Sequence, residues 1–242
     1  MTLRIDQPMA REGASLGGAL CLEAPALVVF DFDGVIADSE VISLSSLQQT
    51  LGTFGVDLSI GEVRRRYLGV GTDKILRDVE SESPQRTAAG FREAWQKILF
   101  ARFRAELTPV HGAQDLLARI AEENIPYCIA SSGSFERIGI ALEAMKLTDR
   151  FEHVFSAEQV RNGKPAPDLF LLAAQEMRVN PEDCVVIEDS LYGVAAAKQA
   201  GMRAIGFLGG KHLTAISEGH RSRLLEAGAD CTISRFDELV FG

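Results

Sequence analysis

The chain predicts an α/β fold: a parallel sheet with helices on both faces and a helical segment inserted after the first core strand. Three observations carry this. Residues 26–30 (ALVVF), 127–130 and 184–187 are short, apolar runs without polar alternation, as in strands covered on both faces. Beyond residue 106, strand-like and helix-like stretches alternate, which implies parallel pairing through helical crossovers. Between residues 57 and 106 only helical patterns occur.

Residues 1–24 are polar and glycine-containing and are expected to form a loose leader. After the strand at 26–30, residues 39–51 have helical spacing, with Val41, Leu44, Leu47 and Leu51 on one side. Ser39 is suited to cap this helix, because its side-chain oxygen can accept an early backbone N–H. Within the insertion, 62–67, 73–79 and 86–105 read as helices; the last sets Trp95, Leu99 and Phe103 against Arg92, Lys97 and Arg102. The alternation that follows is helix 113–123, strand 127–130, helix 135–145, strand 153–155 and helix 167–177. It continues as strand 184–187, helix 191–200 and strand 203–207, with a last pair at 221–227 and 231–233.

The 242 residues carry 25 basic and 34 acidic side chains, a net charge of −9, and 46% are hydrophobic. Such a chain has no overall attraction for nucleic acid or an anionic membrane surface. The run Arg64-Arg65-Arg66 is a local exception, and three such arginines on a helix ordinarily form a solvated face. The cysteines Cys21, Cys128, Cys184 and Cys231 are scattered without a CxxC pair, against a disulfide framework or a zinc site. No signal-peptide pattern or membrane-length apolar window is present, so a cytoplasmic protein is expected.

Four motifs fall in a telling order: Asp31-Phe32-Asp33-Gly34, Ser131-Ser132-Gly133, Gly163-Lys164-Pro165 and Glu188-Asp189-Ser190. The first, second and fourth end apolar strands, where ligands of parallel α/β sheets bind. Asp31 and Asp33 repel each other unless a cation or a shared proton compensates them, and magnesium takes such hard oxygen ligands. One aspartate can attack phosphorus while the other protonates the leaving oxygen. Ser131 and Ser132 stand at a helix start, where backbone N–H groups favour an anion. Two prolines stiffen the segment after Lys164. Glu188 and Asp189 can complete a metal site, since buried strand ends seldom carry two acids.

Each motif alone has a plainer reading: an Asx-turn, a serine cap, a solvated lysine, a helix start at Ser190. Together and in this order, they describe one site for moving a phosphoryl group with the help of a divalent cation. Other patterns fail. Gly69-Val70-Gly71 lacks the third glycine of a dinucleotide fingerprint, and Gly210-Lys211-His212 lacks the spacing of a P-loop. His111, His153, His212 and His220 show no metal-ligand spacing and read as solvated or core residues.

With these motifs the chain resembles a haloacid dehalogenase superfamily hydrolase of the subgroup with a helical cap after the first strand. The likeness runs from about Leu27 to Ile233 and is most specific over Asp31 to Glu40. It implies a Rossmann-like core at 25–38 and 107–242, a cap at 39–106, and hinges near Ser39 and Thr108-Pro109. It further implies Asp31 as nucleophile and Asp33 as general acid and base whose carbonyl meets the metal. Ser131 and the N–H of Ser132 would hold the phosphoryl group, Lys164 would neutralise charge, Asp189 would bind Mg2+ directly, and Glu188 directly or through water. The resemblance makes the substrate a small phosphorylated metabolite, a sugar phosphate or sugar-acid phosphate, and the protein a monomer. Arg64, Arg65, Arg66, Tyr67 and Thr72 are the candidate specificity residues.

Dehalogenases and phosphonatases of the superfamily lack the second aspartate, which is present here as Asp33. A β-phosphoglucomutase is the competing reading. Its family carries an arginine where Thr72 aligns and a histidine where Ser43 aligns, and both departures favour a phosphatase. A catalytically silent binding protein would have lost a central carboxylate, whereas Asp31, Asp33 and Asp189 are all in place.

Overall fold

The computed structural model describes residues 15–16, 19–22, 24–70, 72–82 and 88–241. In chain order the strands are β1 Ser15–Leu16, β2 Ala19–Leu22, β3 Leu27–Phe30, β4 Tyr127–Ser131, β5 Val154–Ser156, β6 Cys184–Glu188, β7 Arg203–Phe207, β8 Cys231–Ile233 and β9 Leu239–Phe241. The helices are α1 Glu40–Thr53, α2 Ile60–Tyr67, α3 Thr72–Glu82, α4 Ala88–Glu106, α5 Ala113–Glu122, α6 Phe135–Met145, α7 Asp168–Met177, α8 Leu191–Gln199 and α9 Ser217–Glu226.

Strands β5-β4-β3-β6-β7-β8 form a parallel sheet in that order. The chain enters at β3, lays β4 and β5 to one side, then crosses to build β6, β7 and β8 on the other. This reversal opens a crevice at the carboxyl ends of β3, β4 and β6. Alternate residues of β3 feed two separate cores. Val28 and Phe30 pack with Leu116 and Ile120 of α5 and Ile138 and Leu142 of α6. Leu27 and Val29 pack with Phe170 of α7 and Val194 of α8. That two-sided burial explains why the strand sequences are apolar throughout.

Helices α1 to α4 lie between β3 and β4 in the chain. Arg102 of α4 ties this group to α1, donating from Nη1 to Ser45 Oγ at 2.6 Å and Ser46 Oγ at 3.2 Å. A capping box starts α2: Ser59 Oγ accepts from Glu62 N–H while Glu62 Oε2 accepts from Ser59 N–H. The two connections to the sheet run side by side, with Asp38 N–H donating to Thr108 O at 3.1 Å and Val110 N–H to Ile36 O at 2.9 Å.

Three expectations are corrected. The segment expected to be a loose leader contains β1 and β2, and β2 pairs in parallel with β9, a strand not foreseen; residues 1–14, 17, 18 and 23 lie outside the described residues. Val41 is exposed, and Ile42 takes its place in the core beside Leu44, Leu47 and Leu51. Ser39 does not cap α1 with its side chain, because its hydroxyl donates to Asp33 instead. Cys128 and Cys184 are buried free thiols, and burial pushes the Cys184 pKa up to about 11.

Candidate active site

The four motifs meet at the crevice. Asp31 follows the last residue of β3, Ser131 and Glu188 end β4 and β6, and Lys164 comes from the loop before α7. Lys164 Nζ donates to Asp31 Oδ1 at 2.6 Å, Glu188 Oε2 at 2.7 Å and Ala130 O at 3.0 Å. It also sits over the Phe170 ring, 4.8 Å from the centroid. Burial opposes the Lys164 charge, but Asp31 and Glu188 outweigh it and raise the ammonium pKa.

Asp31, Glu188 and Asp189 bring carboxylate oxygens within 4.8 Å of one another, and all three are buried. Burial, followed by repulsion from Glu188, lifts Asp31 and Asp189 well above the usual carboxylate range. A single lysine among three buried acids leaves negative charge to be compensated, and a set of hard oxygen donors fits a divalent cation. Gly34, at φ 86°, makes this crowding possible: a Cβ there would collide with Asp189 Oδ2.

Asp33 is not part of the carboxylate cluster. Its Oδ1 accepts from Ser39 Oγ and from Arg137 Nη2, the latter at 2.8 Å. On the neighbouring strand end, Ser131 Oγ accepts from Gly133 N–H at 3.0 Å, and Ser156 Oγ donates to Gly133 O at 2.6 Å. Ser134, not Ser131 or Ser132, caps α6 by accepting from Arg137 N–H. The serine cap and the proposed phosphoryl-binding serines are thus different residues of one loop.

The crevice opens into a cavity of about 1210 Å³ lined by Asp31, Asp33, Ser131, Ser132, Lys164 and Asp189, among others. From the helical group Arg65, Arg66 and Tyr67 also line it. Arg64, expected with them, is not among the lining residues; its Nη2 is buried without a hydrogen-bond partner. Helical periodicity explains this, since adjacent residues on α2 point about 100° apart. Thr72 begins α3, but its side chain lies outside the described residues.

Sequence reasoning missed four contributors. Arg137 bonds Asp33, approaches Ser43 Oγ of α1 at 3.5 Å and lies 5.3 Å from the Phe103 ring centroid of α4. A cation in the first turn of a helix, against the dipole, was the available signal. Glu40 lines the cavity, and burial followed by repulsion from Asp33 pushes its pKa up to about 7. Of the four histidines expected to be solvated or core residues, His212 and His220 both bear on Asp189. His212 Nε2 lies 3.1 Å from Asp189 Oδ2, and His220 Nε2 lies 2.6 Å from the Asp189 carbonyl oxygen. Burial pushes both imidazole pKa values down.

With this geometry in view, residues 28–207 match the model of the haloacid dehalogenase-like hydrolases. The chain belongs to that family. The 6-phosphogluconate phosphatase of Escherichia coli (strain K12) is 32% identical over 187 residues, 76% of this chain and 83% of the relative. A beta-phosphoglucomutase of Bacillus subtilis (strain 168) is 29% identical over 188 residues, 74% of this chain and 81% of the relative. The crystal structure of a haloacid dehalogenase-like protein of unknown function from Agrobacterium tumefaciens superposes with a TM-score of 0.73 at 35% identity. That match covers 88% of this chain and 95% of the other. Among the described residues, no helix of this hydrolase is long and apolar enough to cross a membrane.

Proposed function

We propose that the chain is a Mg2+-dependent phosphatase of a small phosphorylated metabolite, working through an aspartyl-phosphate on Asp31. The observation that carries this reading is the Asp31 carboxylate, held at 2.6 Å by Lys164 at the floor of an open cavity, beside Glu188 and Asp189. Asp31, Glu188 and Asp189, with the Asp33 carbonyl, would hold the cation. When bound, Mg2+ supplies positive charge to the carboxylates and to the phosphate oxygens.

Asp31 would attack phosphorus, forming an O–P bond as the bond from phosphorus to the leaving alcohol oxygen breaks. Asp33 would give that oxygen its proton. Asp33 would then take a proton from water, whose oxygen attacks the acyl phosphate, releasing inorganic phosphate and restoring Asp31. Ser39 and Arg137 both bond Asp33 Oδ1, which fixes the carboxylate while leaving Oδ2 for proton transfer. Ser131 and the Ser132 N–H would bind the phosphoryl oxygens, and Lys164 would offset their charge.

The helical side of the cavity supports a substrate with a second anionic group, and hence a sugar-acid phosphate over a neutral sugar phosphate. Arg65, Arg66, Lys74, Arg77 and Arg92 line that side, against Glu40 as its acid. Ser43, where a mutase would carry a histidine, also lines the cavity and supports hydrolysis over phosphoryl return. The test is phosphate release from a panel of phosphorylated sugars, sugar acids and nucleotides, with Mg2+ and with chelator, beside an Asp31→Asn control. Mg2+-dependent release abolished in the control supports the proposal. Conversion of a sugar 1-phosphate to its 6-phosphate without release would replace it with the mutase.

A further inference from the structure

His212 lies outside the motifs that define the site, in the short 3-10 turn Lys211–Leu213 that follows β7. It is 5% exposed, and its Nε2 stands 3.1 Å from Asp189 Oδ2. The room for its ring is made by two glycines. A Cβ on Gly34 would come within 2.8 Å of His212 Cε1, and a Cβ on Gly210 within 2.7 Å of the same atom and 2.8 Å of Nδ1. Gly34 belongs to the segment that carries Asp31 and Asp33. Its missing side chain therefore serves two contacts at once, the approach of Asp189 and the seating of His212. His220 Nε2 meets the carbonyl of the same Asp189 at 2.6 Å, so the side chain and the backbone of this residue each have an imidazole nitrogen close by.

Only the tautomer with its proton on Nε2 can donate to the carboxylate. That assignment leaves Nδ1 as a bare acceptor, in keeping with its being buried and without a hydrogen-bond partner. With His212 Nε2 standing 3.1 Å from one Asp189 oxygen, rotation of the carboxylate is restricted, and its other oxygen is left for the cluster with Asp31 and Glu188. Outer partners of this kind orient a metal-binding carboxylate without touching the metal.

We propose that His212 is a positioning residue for Asp189, holding its carboxylate in the orientation that binds the divalent cation. The proposal rests on the reading of Asp189 as a metal ligand. Gly34 and Gly210 belong to the same device, because each keeps clear the space the ring occupies.

The test is calorimetric titration of the full chain with Mg2+ alone, without substrate, in wild type, Asp189→Ala, His212→Phe and His212→Gln. Phenylalanine keeps a ring but loses the donor, whereas glutamine returns an N–H at about the position of Nε2. His212→Phe is expected to weaken Mg2+ binding by about 10- to 100-fold. His212→Gln should recover most of that loss, and KM at saturating Mg2+ should stay near the wild-type value. Should His212→Phe not fold, Gly210→Ala keeps the histidine but crowds its ring, and should weaken Mg2+ binding in the same direction. Wild-type Mg2+ affinity in folded His212→Phe, or in Gly210→Ala, with binding lost in Asp189→Ala, would overturn the positioning role alone. Mg2+ affinity unchanged in Asp189→Ala would overturn the metal-site reading and this proposal with it.

Discussion

The two sides of the cavity are built on opposite principles. At the strand ends the charges are buried and paired: Asp31, Glu188 and Asp189 are 7%, 1% and 5% exposed, and one lysine bonds two of them. On the helical side, Arg65, Arg66, Lys74, Arg77 and Arg92 line the same space while remaining exposed. Charges removed from water interact strongly but are costly to leave uncompensated, so they must be fixed in place. Exposed charges are screened and mobile, and substituting one has little effect on the fold. The buried side is thus suited to reaction chemistry and the exposed side to choosing a substrate.

The comparison breaks first at Asp31. Asp31→Asn is expected to lower kcat by about 10⁴-fold or more, as loss of a nucleophile does, while substrate binding persists. Phosphate release together with calorimetry of the bound substrate checks both parts. Residual turnover within tenfold of wild type would remove Asp31 from the reaction. Lys164→Met tests the energetics of the same side. It leaves Asp31 and Glu188 buried without their cation, and at pH 8 in chelator should cost about 3–5 kcal/mol in denaturant unfolding. Added Mg2+ should recover part of that loss, and an unchanged midpoint would show that the lysine is not the needed counter-charge.

The same division governs what could be read in advance. Buried strands left their mark as apolar runs, and the bounds of β7, β8 and α6 follow from pattern alone. Asp31, Ser131 and Glu188 were legible because strand ends in a parallel sheet share one edge. His212 and Arg137 were not, because each acts through a contact distant in sequence: His212 with Asp189, and Arg137 with Asp33, 104 residues away. Periodicity says which face of an element is buried, but not which polar atom waits at the other end of the contact. The pairing of β2 with β9 was hidden for the same reason, since it joins the two ends of the chain. Arg64 fails differently. A run of three arginines gives composition without direction, and only the phase of α2 separates Arg65 and Arg66 from it.

A smaller effect lies in pH. Glu40 is raised from 4.5 to about 7, and Asp31 and Asp189 are raised as well, in each case first by burial. A raised carboxylate pKa means that the folded state binds more protons than the unfolded one across the interval between the two values. Stability therefore falls as pH rises through that interval, the reverse of the usual ion-paired acid. In chelator, the wild-type unfolding midpoint should decline relative to that of Glu40→Gln from pH 4.5 to about 7. That difference cancels the opposite contribution of His212 and His220, whose lowered pKa values add stability as pH rises. Mg2+ should stabilise more at pH 8 than at pH 5. A difference between wild type and Glu40→Gln that does not fall over this range in chelator would show that the Glu40 carboxylate is already compensated without a metal.

The weakest expected effect sharpens the other half of the comparison. Arg65 and Arg66 are exposed on α2 and line the cavity, so removing one should leave the unfolding midpoint nearly unchanged. A screened contact between such an arginine and a substrate carboxylate is worth about 1 kcal/mol, or about fivefold in KM. Arg65→Gln and Arg66→Gln should therefore raise KM for a sugar-acid phosphate by a few-fold, with kcat held. For the corresponding neutral sugar phosphate KM should hardly move. Arg64→Gln serves as the control, since Arg64 lies off the cavity wall and its loss should not distinguish the two substrates. Adding salt should shrink the difference between the substrates more in wild type than in either variant, because each variant has one interaction fewer to screen. Equal KM changes for acid and neutral substrates would assign these arginines to the shape of the helical wall instead of its charge.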